Sequence, residues 1–125
     1  MQKITKETPI AVVGVSENSE KYGHKIFRDL VEAGYTVSGV NPKGGSVLGR
    51  ELYTALADIK PQPELIVSVI PPKNGLSVLK DAHELGITNV WLQPGAESET
   101  LVKLAEELSI TLTTNACFMI KEGVW

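Results

Sequence analysis

The residues best suited to chemistry follow the first apolar run of the chain, in the stretch AVVGVSENSEKYGHKIF. Gly14 ends the run, Ser16 and Ser19 offer hydroxyl groups, Lys21 adds a positive charge, and Gly23 opens a helical pattern. A glycine lets backbone approach a phosphate closely, and free N–H groups at a helix start favour anions. We therefore predict a phosphate-binding loop, longer than the G-x-G-x-x-G turn of nicotinamide-binding folds. The alternative is that both glycines only permit a tight turn and close helix–sheet packing.

The turn VNPKGG, after the second apolar run, indicates the class of nucleotide. Folds that bind NAD normally carry an Asp or Glu here, which accepts hydrogen bonds from the ribose hydroxyls. Asn41 replaces that acid, Pro42 stiffens the turn, and Lys43 brings a cation. Because an ammonium group attracts a phosphorylated ribose, an NADP-like or coenzyme-A-like nucleotide is favoured over NAD. The segment is equally typical of a turn with no ligand role.

Side chains capable of acid–base or nucleophilic chemistry are few. The chain contains two histidines, His24 and His83, and one cysteine, Cys117. This set gives neither an intrachain disulfide nor the spacing of a zinc site. The simplest interpretations are a solvated His24, a packed or surface His83, and a buried or half-buried Cys117. We predict no catalytic and no metal-binding residue.

A third turn, in the segment WLQPGAES, follows the fourth apolar run. Its backbone amides can receive part of a ligand, and Ser98 is a typical N-cap for the helix that follows. Glu97 and Glu99 lie at this helix start, where the dipole favours acids, and we do not interpret them as a catalytic pair. Pro94 and Gly95 are also an ordinary turn pair.

Length and charge limit the class of protein. The chain has 125 residues, and residues 1–125 are predicted to form a single domain. The net charge of −3 argues against a nucleic-acid binder, which needs a basic face. No apolar run approaches the length that crosses a bilayer, and the polar start MQKITKETPI lacks the apolar centre of a signal peptide. We expect a cytoplasmic protein that binds neither nucleic acid nor membrane.

Short, continuously apolar runs alternate with amphipathic segments along the chain. Strands are predicted at residues 10–15, 35–40, 65–70, 90–92 and 110–114. Helical patterns lie between them, and Gly34 and Gly86 stand where two helices should end. This alternation predicts an α/β fold: a single doubly wound Rossmann-like domain, with a five-stranded parallel sheet and helices on both faces. The expected strand order is 3-2-1-4-5.

Five segments in order resemble the small CoA-binding proteins related to the nucleotide-binding domain of the succinyl-CoA synthetase α subunit: AVVGVSENSEKYG, GYTVSGVNPKGGSVLGRELYTAL, VSVIPP, VWLQPGAES and NACFMI. The resemblance covers nearly the whole chain. It implies a Rossmann-like domain that holds coenzyme A, or an acyl-CoA, across the strand ends. The residues it implies are Gly14, Val15, Ser16 and Lys21 at the diphosphate, Asn41, Pro42 and Lys43 at the adenosine and its 3′-phosphate, Val69, Ile70 and Pro71 at the adenine, and Gln93, Pro94 and Gly95 at the pantetheine arm.

The sequence departs from the common form of these proteins at two places. VSVIPPKNG replaces a more basic turn after the third strand. Glu17 and Glu20 lie inside the predicted phosphate loop, where each carboxylate opposes a polyanionic ligand.

The favoured interpretation is a non-catalytic binding module for coenzyme A or an acyl-CoA. Two alternatives stay open: an NAD(P)-dependent oxidoreductase or a fragment of one, and the CoA-binding subunit of an acyl-CoA ligase completed by a partner chain. The missing ribose acid and the lack of a substrate domain count against the oxidoreductase. A small-molecule nucleotide ligand is expected in each case, and association into a homo-oligomer or with a ligase subunit is left open.

Overall fold

Residues 3–125, which the computed structural model describes, form a parallel sheet with helices on both faces. The five strands of this sheet are β1 (Ile10–Val13), β2 (Val37–Val40), β5 (Leu65–Ser68), β6 (Asn89–Leu92) and β7 (Thr111–Thr113). A small antiparallel pair, β3 (Ser46–Val47) and β4 (Arg50–Glu51), precedes a single 3₁₀ turn at Leu56–Asp58. The helices are α1 (Tyr22–Glu32), α2 (Pro72–Leu85), α3 (Glu99–Glu107) and α4 (Phe118–Lys121).

Successive residues of each strand contribute to two apolar cores on opposite faces of the sheet. In β1, Ile10 and Val12 pack on the face covered by α1 and α4. Ala11 and Val13 pack on the other face, which is covered by the 3₁₀ turn, α2 and α3. A strand buried on both faces needs apolar residues at every position, which is why these runs are continuous rather than alternating.

The predicted fold class is confirmed, and the structure places one strand differently. The order in the sheet is β2-β1-β5-β6-β7, or 2-1-3-4-5 when only these five strands are counted. After β2 the chain crosses to the face opposite α1, where Leu56 and Ile59 pack with α2 and α3. Because parallel crossovers are right-handed, a connection on that face brings β5 beside β1 instead of beyond β2.

The helix boundaries follow the signals in the sequence. Gly86 directly follows α2 and Gly34 lies two residues after α1, and both adopt the positive φ angles predicted for helix ends. Ser98 caps α3, since its hydroxyl accepts a hydrogen bond from the Leu101 amide at 3.2 Å. None of the helices in residues 3–125 combines the length and the apolar character that crossing a bilayer requires.

Candidate functional site

A cleft of about 400 Å³ opens at the carboxyl edge of the sheet, between the loops that follow β1, β2 and β5. Strands β1 and β5 are neighbours, but the chain leaves β1 toward α1 on one face and leaves β5 toward α2 on the other. Ligands of open α/β sheets bind at such a switch point. The volume also lies in the range of small-molecule sites.

The cleft brings together predicted site residues from two turns and from the strand end that follows β5. Those that line it are Gly14, Val15 and Ser16 after β1, Asn41 and Pro42 after β2, and Ile70 and Pro71 after β5. Those outside its lining are Lys21, Gly23, Lys43, Val69, Gln93, Pro94 and Gly95. The turn after β6 therefore contributes no side of this cleft.

The first loop holds backbone amides of two kinds. The Gly14 and Val15 amides both donate to the Val40 carbonyl, at 3.1 and 3.3 Å, and so belong to the sheet. Within residues 3–125, the next amides in the loop, those of Ser16 and Glu17, have no hydrogen-bond partner. These two amides, which follow the predicted glycine, are therefore available to donate to an anion.

Gly14 and Gly23 are required for close packing between the loop and α1. Gly14 has a φ of +106°, and a Cβ placed on Gly23 would collide with the Gly14 carbonyl oxygen. Val69, which directly follows the neighbouring strand β5, packs against the same point. The ring of His24 adds a further restraint, since its Nδ1 donates to the Ser16 carbonyl at 2.8 Å. Gly23 thus shapes the loop through packing, as the alternative interpretation of the sequence expects.

Asn41 ties the second loop to the first. Its Nδ2 donates to the Val15 carbonyl at 2.9 Å, and its Oδ1 accepts from the Lys43 amide at 2.8 Å. Pro42 then lines the cleft, while Lys43 is exposed beside it and forms no ion pair within residues 3–125. The turn therefore carries an exposed lysine, without an ion pair in the described part of the chain, directly after a residue that lines the cleft.

One wall of the cleft comes from α2 and was not predicted. Asn74, Ser77, Val78 and Asp81 line it from successive turns of the helix. Their spacing of three and four residues puts them on one helical face. Neither Asn74 nor Asp81 uses its side chain in a hydrogen bond within the part of the chain that the structure describes. This wall offers an amide, a hydroxyl and a carboxylate to a ligand.

Gln93, predicted to face a pantetheine arm, is fully buried and holds three elements together. Its Oε1 accepts from the Phe118 amide at 2.7 Å, which fixes the start of α4. Its Nε2 donates to the Tyr22 hydroxyl at 2.9 Å and lies 3.4 Å from the Cys117 sulfur. Gly95, two residues further on, is exposed and donates its amide to Glu97 at 3.1 Å.

The Tyr22 hydroxyl and the Cys117 sulfur, 3.6 Å apart, have altered acidities. Burial, followed by the contact with Cys117, raises the pKa of Tyr22 to about 12. Burial also opposes ionisation of the Cys117 thiol, but hydrogen bonds from Tyr22, from two α4 amides and from Gln93 outweigh it and lower the pKa of Cys117. The half-buried thiol is therefore more readily ionised than an ordinary cysteine.

A second groove, of about 520 Å³, lies beside the edge strand β2. It is lined by Phe27, by Val37 and Ser38, and by residues 50–54 with Asp58. None of the predicted site residues lines this groove, and it lies along a strand rather than at the strand ends where open α/β sheets bind ligands. We therefore assign the candidate site to the smaller cleft.

Comparison with known families covers nearly the whole chain, because residues 8–122 match the model of a family described as CoA binding domain. The chain belongs to this CoA-binding domain family. The matched segment includes every strand of the main sheet and every loop that lines the cleft. All residues that line the candidate site of this CoA-binding domain therefore lie within the segment that matches the family, residues 8–122.

Relatives of this CoA-binding domain include free-standing proteins and parts of larger ones. The uncharacterized protein YneT of Bacillus subtilis is 28% identical over 116 residues, which are 92% of this chain and 85% of YneT. Subunit alpha of an ADP-forming acetate–CoA ligase II of Pyrococcus furiosus is 30% identical over 92 residues, 73% of this chain and 20% of that subunit. The chain thus spans a fifth of the ligase subunit it matches.

A solved structure has the same fold. A conserved hypothetical protein from Pyrococcus furiosus superposes with a TM-score of 0.86 at 38% sequence identity, covering 91% of this chain and 98% of that protein.

Proposed function

We propose that the chain binds coenzyme A, or an acyl-CoA, in the cleft and forms or breaks no covalent bond in doing so. The observation that carries this proposal is the cleft itself, in which the loops after β1, β2 and β5 converge at the switch point of a CoA-binding domain fold. The amides of Ser16 and Glu17 are suited to the diphosphate. Ile70 and Pro71 supply apolar surface to the adenine.

Lys43 is the residue we assign to the 3′-phosphate. Its exposed ammonium group follows Pro42, which lines the cleft, and it has no ion-pair partner within residues 3–125. An unpaired ammonium close to a phosphate attracts it strongly, because both phosphate charges act over a short distance. The contribution should be specific to ligands that carry this phosphate.

Titration calorimetry with CoA, 3′-dephospho-CoA, NAD and NADP tests the proposal. We expect CoA to bind more tightly than 3′-dephospho-CoA, and NAD to bind weakly or not at all. Lys43→Gln should lower the affinity for CoA by about fivefold and leave 3′-dephospho-CoA unchanged. Lys80→Gln is the matched control, because Lys80 lies on the far side of α2, in a shallow groove against α3. Binding of NAD alone would refute the proposal.

The likeness to an acetate–CoA ligase subunit supports a second candidate, in which the chain is the CoA-binding part of a ligase completed by a partner. In this case the chemistry belongs to the partner, and the cleft of this chain presents CoA to it. Isolation of the tagged chain from its source cells, followed by mass spectrometry, distinguishes the two candidates. An ATP-dependent ligase subunit recovered in equal amount supports the second candidate, whereas recovery of the chain alone supports the first.

A further inference from the structure

One carboxylate joins the first loop to the turn that follows β2. Oε2 of Glu17 accepts a hydrogen bond from the Ser46 amide at 3.0 Å. Gly45, with a φ of +109°, allows this contact, since a Cβ there would lie 2.8 Å from Cδ of Glu17. Any side chain at position 45 would therefore displace the carboxylate from the turn.

This contact brings a negative charge to a turn whose own sequence lacks an acid. In NAD-binding folds the acid follows the second strand, where it accepts from ribose hydroxyls and disfavours a phosphorylated ribose. Here the Asn41 amide is committed to backbone groups of both loops, and the carboxylate of Glu17 reaches the same turn from the first loop. Neither Glu17 nor Lys43 belongs to an ion pair among residues 3–125, so no salt bridge neutralises either charge.

We propose that Glu17 is a specificity-determining residue, which weakens the binding of a ribose that carries a phosphate and so opposes Lys43. The proposal rests on the binding of CoA in the cleft. Lys43 belongs to the turn after β2, and Glu17 contacts the same turn. The lysine attracts a ribose phosphate, whereas the glutamate repels it. The preference of the wild-type chain for CoA over 3′-dephospho-CoA is then the attraction by Lys43 minus the repulsion by Glu17. This preference is smaller than Lys43 alone would give.

The Glu17→Gln variant tests this proposal, because the amide oxygen of glutamine can still accept from the Ser46 amide while the charge is lost. Glu20→Gln is the matched control: it removes the same charge from the same loop, but the Glu20 side chain makes no hydrogen bond to the turn. Calorimetry at low ionic strength gives the affinity of each variant for CoA and for 3′-dephospho-CoA. The quantity compared is the affinity for CoA divided by the affinity for 3′-dephospho-CoA. We expect Glu17→Gln to raise this ratio by about fivefold, and Glu20→Gln to change it by less than about twofold.

The ratio separates the charge of Glu17 from its effect on loop order, since a disordered loop weakens both ligands alike. An unchanged ratio in Glu17→Gln, or an equal rise in Glu20→Gln, would overturn the proposal and leave CoA binding in place. If the wild-type chain gives no binding heat with either ligand, CoA binding is refuted, and the role of Glu17 is refuted with it.

Discussion

The contact between Gly23 and Gly14 predicts whether the Gly23→Ala variant is more or less stable than the wild type. Alanine normally stabilises a helix relative to glycine by about 0.5–1 kcal/mol, so Gly23→Ala in α1 should raise stability if nothing opposed it. In this structure the added methyl group meets the Gly14 carbonyl oxygen, which belongs to backbone and cannot rotate away. Forcing backbone apart costs about 1–3 kcal/mol.

The net expectation for Gly23→Ala is a loss of about 1.5 kcal/mol in the free energy of unfolding. Unfolding entropy scales with chain length, so this loss corresponds to a fall of about 6 °C in the thermal midpoint. Since Gly14 lines the cleft, the shift of the loop should also lower the affinity for CoA, by about tenfold. Differential scanning calorimetry and ligand titration measure the two effects.

Gly75→Ala is the control for this prediction. Gly75 lies in α2, where the new methyl group meets the end of the Leu101 side chain instead of a carbonyl group. Its midpoint should fall less than that of Gly23→Ala, and its affinity for CoA should not change. A Gly23→Ala variant as stable as the wild type, with unchanged affinity, would show that the loop does not pack on α1 as described.

Three further predictions follow from hydrogen bonds. Tyr22→Phe removes a hydrogen-bond donor to the Cys117 sulfur and should raise the pKa of Cys117. Alkylation of Cys117 by iodoacetamide at pH 8 should then be about threefold slower than in the wild type. In the control variant, Tyr35→Phe, Cys117 should be alkylated at the wild-type rate. Gln93→Leu leaves the first amide of α4 buried without a partner and should cost about 2–3 kcal/mol in denaturant unfolding. Asn41→Ala cuts the tie between the two loops and should weaken CoA binding by about tenfold in calorimetry, with an unchanged affinity excluding that role.

Local signals predicted the elements of the fold, while the position of one strand depended on packing across the sheet. Continuous apolar runs, helical stripes and the glycines after α1 and α2 are visible in the sequence. The order of the strands depends on which face Leu56 and Ile59 cover, and either face gives the same local pattern. The strand order could therefore not be read from periodicity.

The β3–β4 hairpin was missed because its signal is unusual. Its two-residue turn consists of Leu48 and Gly49, both with positive φ. Such turns favour Asn, Asp or Gly at the first position, and a leucine there is uncommon. Its strands are also only two residues long, so they show no alternation.

In the candidate site, residues next to strand ends were predicted and residues on the helix wall were not. Gly14, Ser16, Asn41 and Pro42 follow apolar runs, and the topology of a parallel sheet gathers such positions at one edge. Asp81 lies two helical turns inside α2, and nothing in the sequence shows that its face turns toward the cleft. The burial of Gln93 is also a tertiary effect, since it depends on α4 packing over the end of β6.

A two-dimensional NMR titration of the labelled chain with CoA tests most directly whether the cleft is the binding site. Binding there should shift the amide signals of Ser16, Glu17 and Lys43, together with that of Ile70, and leave the signals of residues 37–38 and 50–53, in the groove beside β2, unperturbed. No shifts at millimolar CoA, or shifts confined to residues 50–53, which line only the groove beside β2, would contradict the assignment of CoA to this cleft.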